Sequence, residues 1–329
     1  MQISNITSIS NIESLTVRPE IPTIPEENFT IAVIPDTQRL AENNGTAFNS
    51  LVQEIVDEES NKNIKMVLHV GDIVQLGSST SQWSTAYTAL NRLRTNDIPH
   101  LLVQGNHDYD DGENSRTSTK FNATFPYSNF TSTDWYFGNY PSTSNENSYS
   151  LLKVGSEVWM FFAFEWITRE GTRDWADDII SSINPDRIVI NTHENLDADA
   201  TRYDDDYVTF KGDEENSWNP TEMWNWFDNH PEICLIVCGH SVFTSGNVAT
   251  GGTIGKNAWA KRADTVSEKT INQVMANYQD MDGSSYADSA YIRWMEVDPA
   301  EKEISVTTEN PVQSDSFTDA GNQFTINYI

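Results

Sequence analysis

Five apolar runs in this chain each stop at a carboxylate, an amide or an imidazole side chain. "IAVIP" leads to Asp36, with Gln38 two residues on, and "MVLHVG" leads to Asp72. "HLLVQG" delivers Asn106, His107 and Asp108, "RIVINT" delivers His193, and "CLIVCG" delivers His240. Short runs this rich in Val, Ile and Leu read as strands buried on both faces. Between them lie amphipathic segments: "AFNSLVQEIVDEES" has helical spacing through Phe48, Leu51, Val52, Ile55 and Val56, and "QWSTAYTALNRLR" reads as a second helix. Strand–helix–strand alternation of this kind specifies an α/β fold with parallel strands. Because ligands of open α/β sheets bind at the carboxyl ends of the strands, the pattern predicts one sheet that presents five polar groups along a single rim.

The rest of the chain is organised around that core. Residues 1–27, Ser/Thr/Asn-rich and then proline-punctuated ("RPEIPTIPEEN"), read as an N-terminal extension or linker, and 28–329 as one domain. The polar stretch from about 108 to 147 predicts a long decorated loop region. "YSLLKV" and "EVWMFFAFEW" predict a hairpin, and "DWADDIISSI" and "TEMWNWFDNH" predict helices. "AYIRWMEVD", "EISVTTE" and "QFTINYI" predict antiparallel strands. Cys234 and Cys238 share one strand, about 13 Å apart, too far for a disulfide.

Charge narrows the partners. The chain carries 49 Asp and Glu against 20 Lys and Arg, a net charge of -29, which disfavours duplex nucleic acid and anionic membranes. Such a surface suits high salt, so a halophilic or marine source is expected. No run of about 18 apolar residues predicts membrane insertion, and "MQISNITSIS" lacks the pattern of a signal peptide. Two acidic runs offer carboxylates that could bind calcium, "LDADATRYDDDY" and "DYDDGEN", the latter without EF-hand spacing; both read rather as solvated faces.

The five strand ends carry carboxylate, amide and imidazole groups, donors that suit Mn, Fe or Zn better than copper or calcium. One or two divalent ions held there would oppose the local carboxylates Asp36 and Asp72, and would make an acidic molecule receptive to a small phosphoester. The other histidines, His69, His100 and His230, stand outside these motifs and read as structural.

The order Asp-x-Gln, Gly-Asp, Gly-Asn-His-Asp, Thr-His, Gly-His resembles the calcineurin-like metallophosphoesterases, in a branch whose first motif is Asp-Thr-Gln. "PDTQ", "VLHVGDIV", "IPHLLVQGNHD", "VMANYQ" and "YIRWMEVDP" carry the likeness from about Phe29 to the C-terminus. It implies a four-layer α/β/β/α sandwich and hydrolysis of phosphomonoesters or phosphodiesters at a dinuclear centre. One ion would be held by Asp72, Asn106, His193 and His240, the other by Asp36, Asp72 and Gln38. Asn106 would stabilise charge on the phosphoryl oxygens, His107 would be the general acid, and Asp108 would orient it. Arg116 and Glu165 resemble family residues near the substrate.

Three positions depart from the family pattern. Gln38 stands where a histidine is usual, Val242 where the final motif has its second histidine, and Gln75 where many relatives have an acidic residue supporting His107. The departures imply a partly filled second metal position. They also leave open an alternative: an inactive phosphoesterase-fold module of a cell surface or virus particle, joined to a larger assembly through its N-terminal extension.

Overall fold

The computed structural model describes residues 20–202, 217–242, 252–253, 257–281 and 286–328. Most of the N-terminal extension and part of the "LDADATRYDDDY" run lie outside the described residues. Two large sheets form the centre. One has seven strands, with β2 (Phe29–Ile34), β3 (Ile64–His69) and β4 (His100–Leu102) parallel, and β15 (Ile292–Asp298) antiparallel to β2. β16 (Glu303–Asn310), β17 (Asp315–Phe317) and β18 (Phe324–Asn327) complete it on the far side of β15. The three late apolar segments thus form the predicted antiparallel strands.

The other sheet has nine strands. Its parallel core is β7 (Glu157–Phe164), β9 (Arg187–Thr192), β11 (Ile233–Cys238) and β14 (Lys269–Asn277). Its flanks are β1 (Thr23–Ile24), β5 (Tyr136–Tyr140), β6 (Asn147–Val154), β12 (Gly252–Thr253) and β13 (Asn257–Val266). A small ribbon pairs β8 (Thr168–Arg169) with β10 (Ser217–Trp218). The hairpin expected around Val154 is present as β6–β7. β1, from within the expected linker, pairs parallel to β6 and so belongs to the sheet edge.

The five motif strands therefore do not share one sheet, a correction to the sequence reading. β2, β3 and β4 lie in one sheet, β9 and β11 in the other. Runs buried on both faces look alike whichever sheet they enter, so periodicity could not separate them.

Alternation along β7 shows how the layers form. Trp159, Phe161 and Ala163 point into a core shared with the seven-stranded sheet, while Met160, Phe162 and Phe164 join a separate core. That second core is closed by Ala176 and Ile180 of α5 (Glu170–Ile183) and by Met223, Trp226 and Phe227 of α6 (Pro220–Phe227). On the opposite side α2 (Gly45–Asp57) buries Phe48, Leu51, Val52 and Ile55, and α3 (Thr80–Thr95) buries Trp83, Ala86, Leu90 and Leu93. The result is an α/β/β/α sandwich. α2 starts where the Asn44 side chain accepts from Ala47 N, and α6 carries a capping box between Asn219 and Glu222 with Pro220 behind the cap. α4 (Thr119–Thr124) and several short turns give the 108–147 stretch more structure than a loop.

Polar side chains bridge the two sheets. Asn191 of β9 donates to the His69 carbonyl of β3 at 3.1 Å, and Asn272 of β14 donates to the Asn327 carbonyl of β18 at 2.8 Å. Arg293 of β15 is fully buried and donates to the Tyr278 hydroxyl, to the carbonyls of Met275 and Gly321, and to Asn322 Oδ1. Removing such a donor strands buried acceptors, each worth about 1–3 kcal/mol. Arg293→Met should lower unfolding free energy by about 3 kcal/mol, read as a lower urea midpoint at unchanged slope. A midpoint within error of the parent would show that the clamp adds nothing.

Candidate metal centre

The five strand ends meet although they come from two sheets. Asp36 follows β2, Asp72 follows β3, Asn106 follows β4, His193 follows β9 and His240 follows β11. The turns that carry them need tight backbone. A Cβ on Gly105 would stand 2.1 Å from Asp72 Oδ1 and 2.7 Å from His193 Nε2, and one on Gly239 would stand 2.0 Å from Asp36 Oδ1. Only glycine permits these approaches, so the Gly-Asn-His-Asp and Gly-His motifs are steric requirements as well as chemical ones.

Four donor atoms converge. His193 Nε2 lies 3.3 Å from Asp72 Oδ1 and 3.2 Å from Asn106 Oδ1. His240 Nδ1 lies 3.2 Å from both Asn106 Oδ1 and His193 Nε2. The other nitrogen of His193 is fixed: Nδ1 lies 2.8 Å from the Val70 carbonyl and so carries a hydrogen, leaving Nε2 facing the cluster to hold a proton or, once deprotonated, to offer a lone pair. The Asp72, His193 and His240 ligand atoms all lie within 4.8 Å of one another, close enough to share one ion. The donor set fits a divalent ion.

The electrostatics point the same way. Burial pulls the His193 imidazolium down, but the Asp72 and Asp36 carboxylates outweigh it and hold the group up at about 10. Burial and the neighbouring His193 charge push His240 down to about 3. Asp36 is raised, by burial and by Asp72 against the pull of His193, while Asp72 overcomes its burial through His193 and His107 and is lowered. A proton on His193 thus supplies positive charge that an ion would supply in its place.

Around the four donors stand Asp36 and Gln38. Asp36 accepts from the His240 backbone N–H at 3.1 Å and from Asn277 Nδ2 at 3.0 Å. Gln38, first residue of α1 (Gln38–Asn43), donates from Nε2 to Asp72 Oδ2 at 3.0 Å, while its Oε1 is buried with no hydrogen-bond partner among the described residues. Val242 is half-buried and offers no donor.

His107 borders the cluster through its backbone N–H, which donates to Asp72 Oδ1 at 3.0 Å. Its ring is held by Gln75: Nδ1 lies 2.9 Å from the Gln75 carbonyl and 3.2 Å from Gln75 Nε2. Asp108 does not orient it, which corrects the sequence reading. The Asp108 carboxylate accepts from the backbone N–H groups of Gly105 at 2.9 Å, Val74 at 2.9 Å and Ile73 at 3.1 Å, lacing the turn after β3 to the turn after β4. Burial and Asp72 nonetheless push Asp108 up to about 7.

Arg116 and Glu165 meet each other rather than the donors. Glu165 is fully buried, 2.8 Å from Arg169 Nε and 3.4 Å from Arg116 Nη1, and Arg116 also donates to the Ile167 carbonyl and to Ser217 Oγ. His69, His100 and His230 are hydrogen-bonded to Thr37, the Ile98 carbonyl and Asp177 respectively, as structural histidines. Two contributors escaped the sequence reading. Asn277, at the end of β14, donates to Asp36 and to the His240 carbonyl. Glu194 accepts from Trp166 Nε1 at 2.6 Å and places Oε1 3.7 Å from His240 Nε2. Asn277 lies inside "VMANYQ" and Glu194 directly follows His193, so position at a strand end was the available signal.

The uncharacterized protein YvnB of Bacillus subtilis (strain 168) is 24% identical over 303 residues, 92% of this chain. The chain spans only 21% of that relative's length. Among solved structures, GAP50, the anchor in the inner membrane complex of Plasmodium, is 10% identical with a TM-score of 0.48, covering 92% of this chain and 90% of that one. TT1561 of Thermus thermophilus is 10% identical with a TM-score of 0.44, covering 91% and 98%. The calcineurin-like phosphoesterase family model matches residues 29–243, a stretch that contains every donor described above except Asn277, and the chain belongs to that family.

Proposed function

We propose that the protein hydrolyses small phosphate esters, monoesters or diesters, at a divalent-metal centre. The observation that carries this reading is the convergence of Asp72, Asn106, His193 and His240 at the rims of two sheets. These four would hold one ion. Asp36, Asp72 and Gln38 would hold its neighbour more weakly, and the buried Gln38 Oε1, without a hydrogen-bond partner among the described residues, supports that role. A bound Mn, Fe or Zn ion supplies Lewis acidity toward phosphoryl oxygens and brings water within reach of deprotonation at neutral pH.

The chain's own side chains supply the remainder. Asn106 is placed to stabilise charge on a phosphoryl oxygen. His107, fixed at Nδ1 by the Gln75 carbonyl, exchanges its proton at Nε2 and gives it to the departing ester oxygen. Asp108 keeps the turns bearing Asp72 and Asn106 in register through three backbone hydrogen bonds. Arg116 and Glu165, joined to Arg169, would support the segment through Trp166 rather than touch substrate. A second reading, a phosphoesterase fold kept as a structural or binding component of a cell surface or virus particle, is favoured by Val242 and Gln38 at two donor positions.

Hydrolysis of mono- and bis-nitrophenyl phosphate with Mn, Fe or Zn separates the two readings. We expect turnover by the parent and loss to background in Asp72→Asn; inactivity with every metal would favour the second reading. His107→Ala should slow alkyl phosphates by about 10²–10⁴-fold and nitrophenyl esters far less, since nitrophenolate leaves unprotonated. Equal losses on both would remove His107 from the acid role.

Proton linkage gives an independent check. His193 is raised from about 6.5 in the unfolded chain to about 10. In metal-free protein its contribution to stability is therefore complete below about pH 6.5 and is lost as pH climbs toward 10. A ligating imidazole has to be neutral, so metal uptake at pH 7 expels that proton. Titration with zinc in weak buffer should release about one proton or more per chain while filling one tight position. Two tight ions, or uptake without acidification, would contradict the assignment.

A further inference from the structure

A cavity of about 490 Å³ opens beside the donor cluster, with Asn106 and His107 in its wall. It lies between the turn after β3, which contributes Gln75 and Leu76, and the turn after β4, which contributes Asp110, Asp111 and Asn114. The volume is that of a small-molecule site. Its shape is fixed where the turns touch. A Cβ on Gly77 would fall 1.9 Å from the Tyr109 carbonyl oxygen, and the Gly77 carbonyl accepts from Trp83 Nε1 at 2.7 Å.

The chemistry of the walls is one-sided. Among the described residues no Lys or Arg lines the cavity. Gln75 and Asn114 offer amides, Leu76 is an exposed apolar side chain, and Asp110 and Asp111 bring two carboxylates. Those carboxylates are held by groups without charge: Asp110 accepts from the backbone N–H groups of Thr119 and Lys120, and Asp111 accepts from Ser115 Oγ. Their negative charge is therefore not cancelled by a cation within the wall.

We propose that this cavity receives the alcohol that departs from phosphorus, and that it favours cationic or neutral hydroxyl-bearing alcohols over anionic ones. The inference rests on the hydrolase reading above and specifies its substrate class. His107 places the acid at this wall, so the ester oxygen that takes its proton departs on this side. In the reaction the bond between phosphorus and that oxygen breaks, a bond between phosphorus and a water oxygen forms, and the departing oxygen takes the His107 proton. The proton shed by water passes to solvent, from which His107 is recharged. A carboxylate or second phosphate on the alcohol would enter facing Asp110 and Asp111 with nothing to neutralise it, whereas an ammonium group or a set of hydroxyls finds acceptors.

The test compares esters that share the phosphoryl group and differ in the charge of the alcohol. Choline, glycerol and glycerate esters are used, each as the phosphomonoester and as its methyl diester, and free alcohol is measured with manganese-loaded full-length protein. We expect kcat/KM for the choline or glycerol ester to exceed that for the glycerate ester by on the order of tenfold, the size of one unit-charge interaction in a partly hydrated site. The ratio should shrink in Asp111→Asn and at high salt. Turnover of nitrophenyl esters with a flat or anion-favouring alcohol series would overturn this inference and leave the hydrolase reading standing. Failure to hydrolyse any ester, nitrophenyl included, would overturn both. A cation preference that Asp110→Asn and Asp111→Asn together leave unchanged would remove the cavity from the explanation.

Discussion

Lone pairs repel, and this fold forces four of them together. Asp72, Asn106, His193 and His240 bring their donor atoms to 3.2–3.3 Å across four contacts, and a proton on the His193 imidazole offsets them. Much of the surrounding backbone exists to impose that arrangement. Asp72 and His240 both adopt the left-handed conformation, at φ 49° and 67°, which costs non-glycine residues about 1 kcal/mol or more each. The Val70 carbonyl fixes one ring, Gln38 and the His107 N–H grip Asp72, and Asn277 grips Asp36. Strain of this kind persists only when the surroundings over-determine it, and here an α/β/β/α core does so.

On the reading proposed above, the same arrangement would let a chain of net charge -29 attract an anion. A divalent ion held by the four donors would concentrate positive charge beside a cavity wall that bears Asp110 and Asp111. A phosphoryl group would meet the cluster and the alcohol attached to it would meet those carboxylates, so that recognition of the two halves of a phosphoester would be divided between regions of opposite sign.

How much of this was legible in the residues depends on how local the determinant was. Each motif strand and its terminal donor could be read directly, because a buried strand and the proline, glycine or threonine that releases it lie within ten residues. The partition of those strands between two sheets could not be read, since Val, Ile and Leu runs carry no label for their neighbours. The β13–β14 hairpin went unrecognised because "NAWAKRADTV" and "KTINQVMAN" are rich in polar residues, and the pairing of β14 with β11 on one side and β13 on the other supplies burial that composition does not advertise. Asp108 was misread for a related reason. Adjacency to His107 suggests a partner, but the turn directs the carboxylate to three backbone N–H groups instead. Glu194 and Asn277 depended on contacts that form only after the strands are arranged.

The division of the donors between the sheets has a bearing on how the protein matures. Asp72 and Asn106 come from one sheet, His193 and His240 from the other, so neither half of the sandwich alone offers more than two of the four primary donors. On the proposed reading, a nascent chain would lack the four-donor ion site until residue 240 has been made and the second sheet has docked on the first. Capture of an ion would then be a late event, and the ion would act as a rivet across the seam, reporting that assembly is complete.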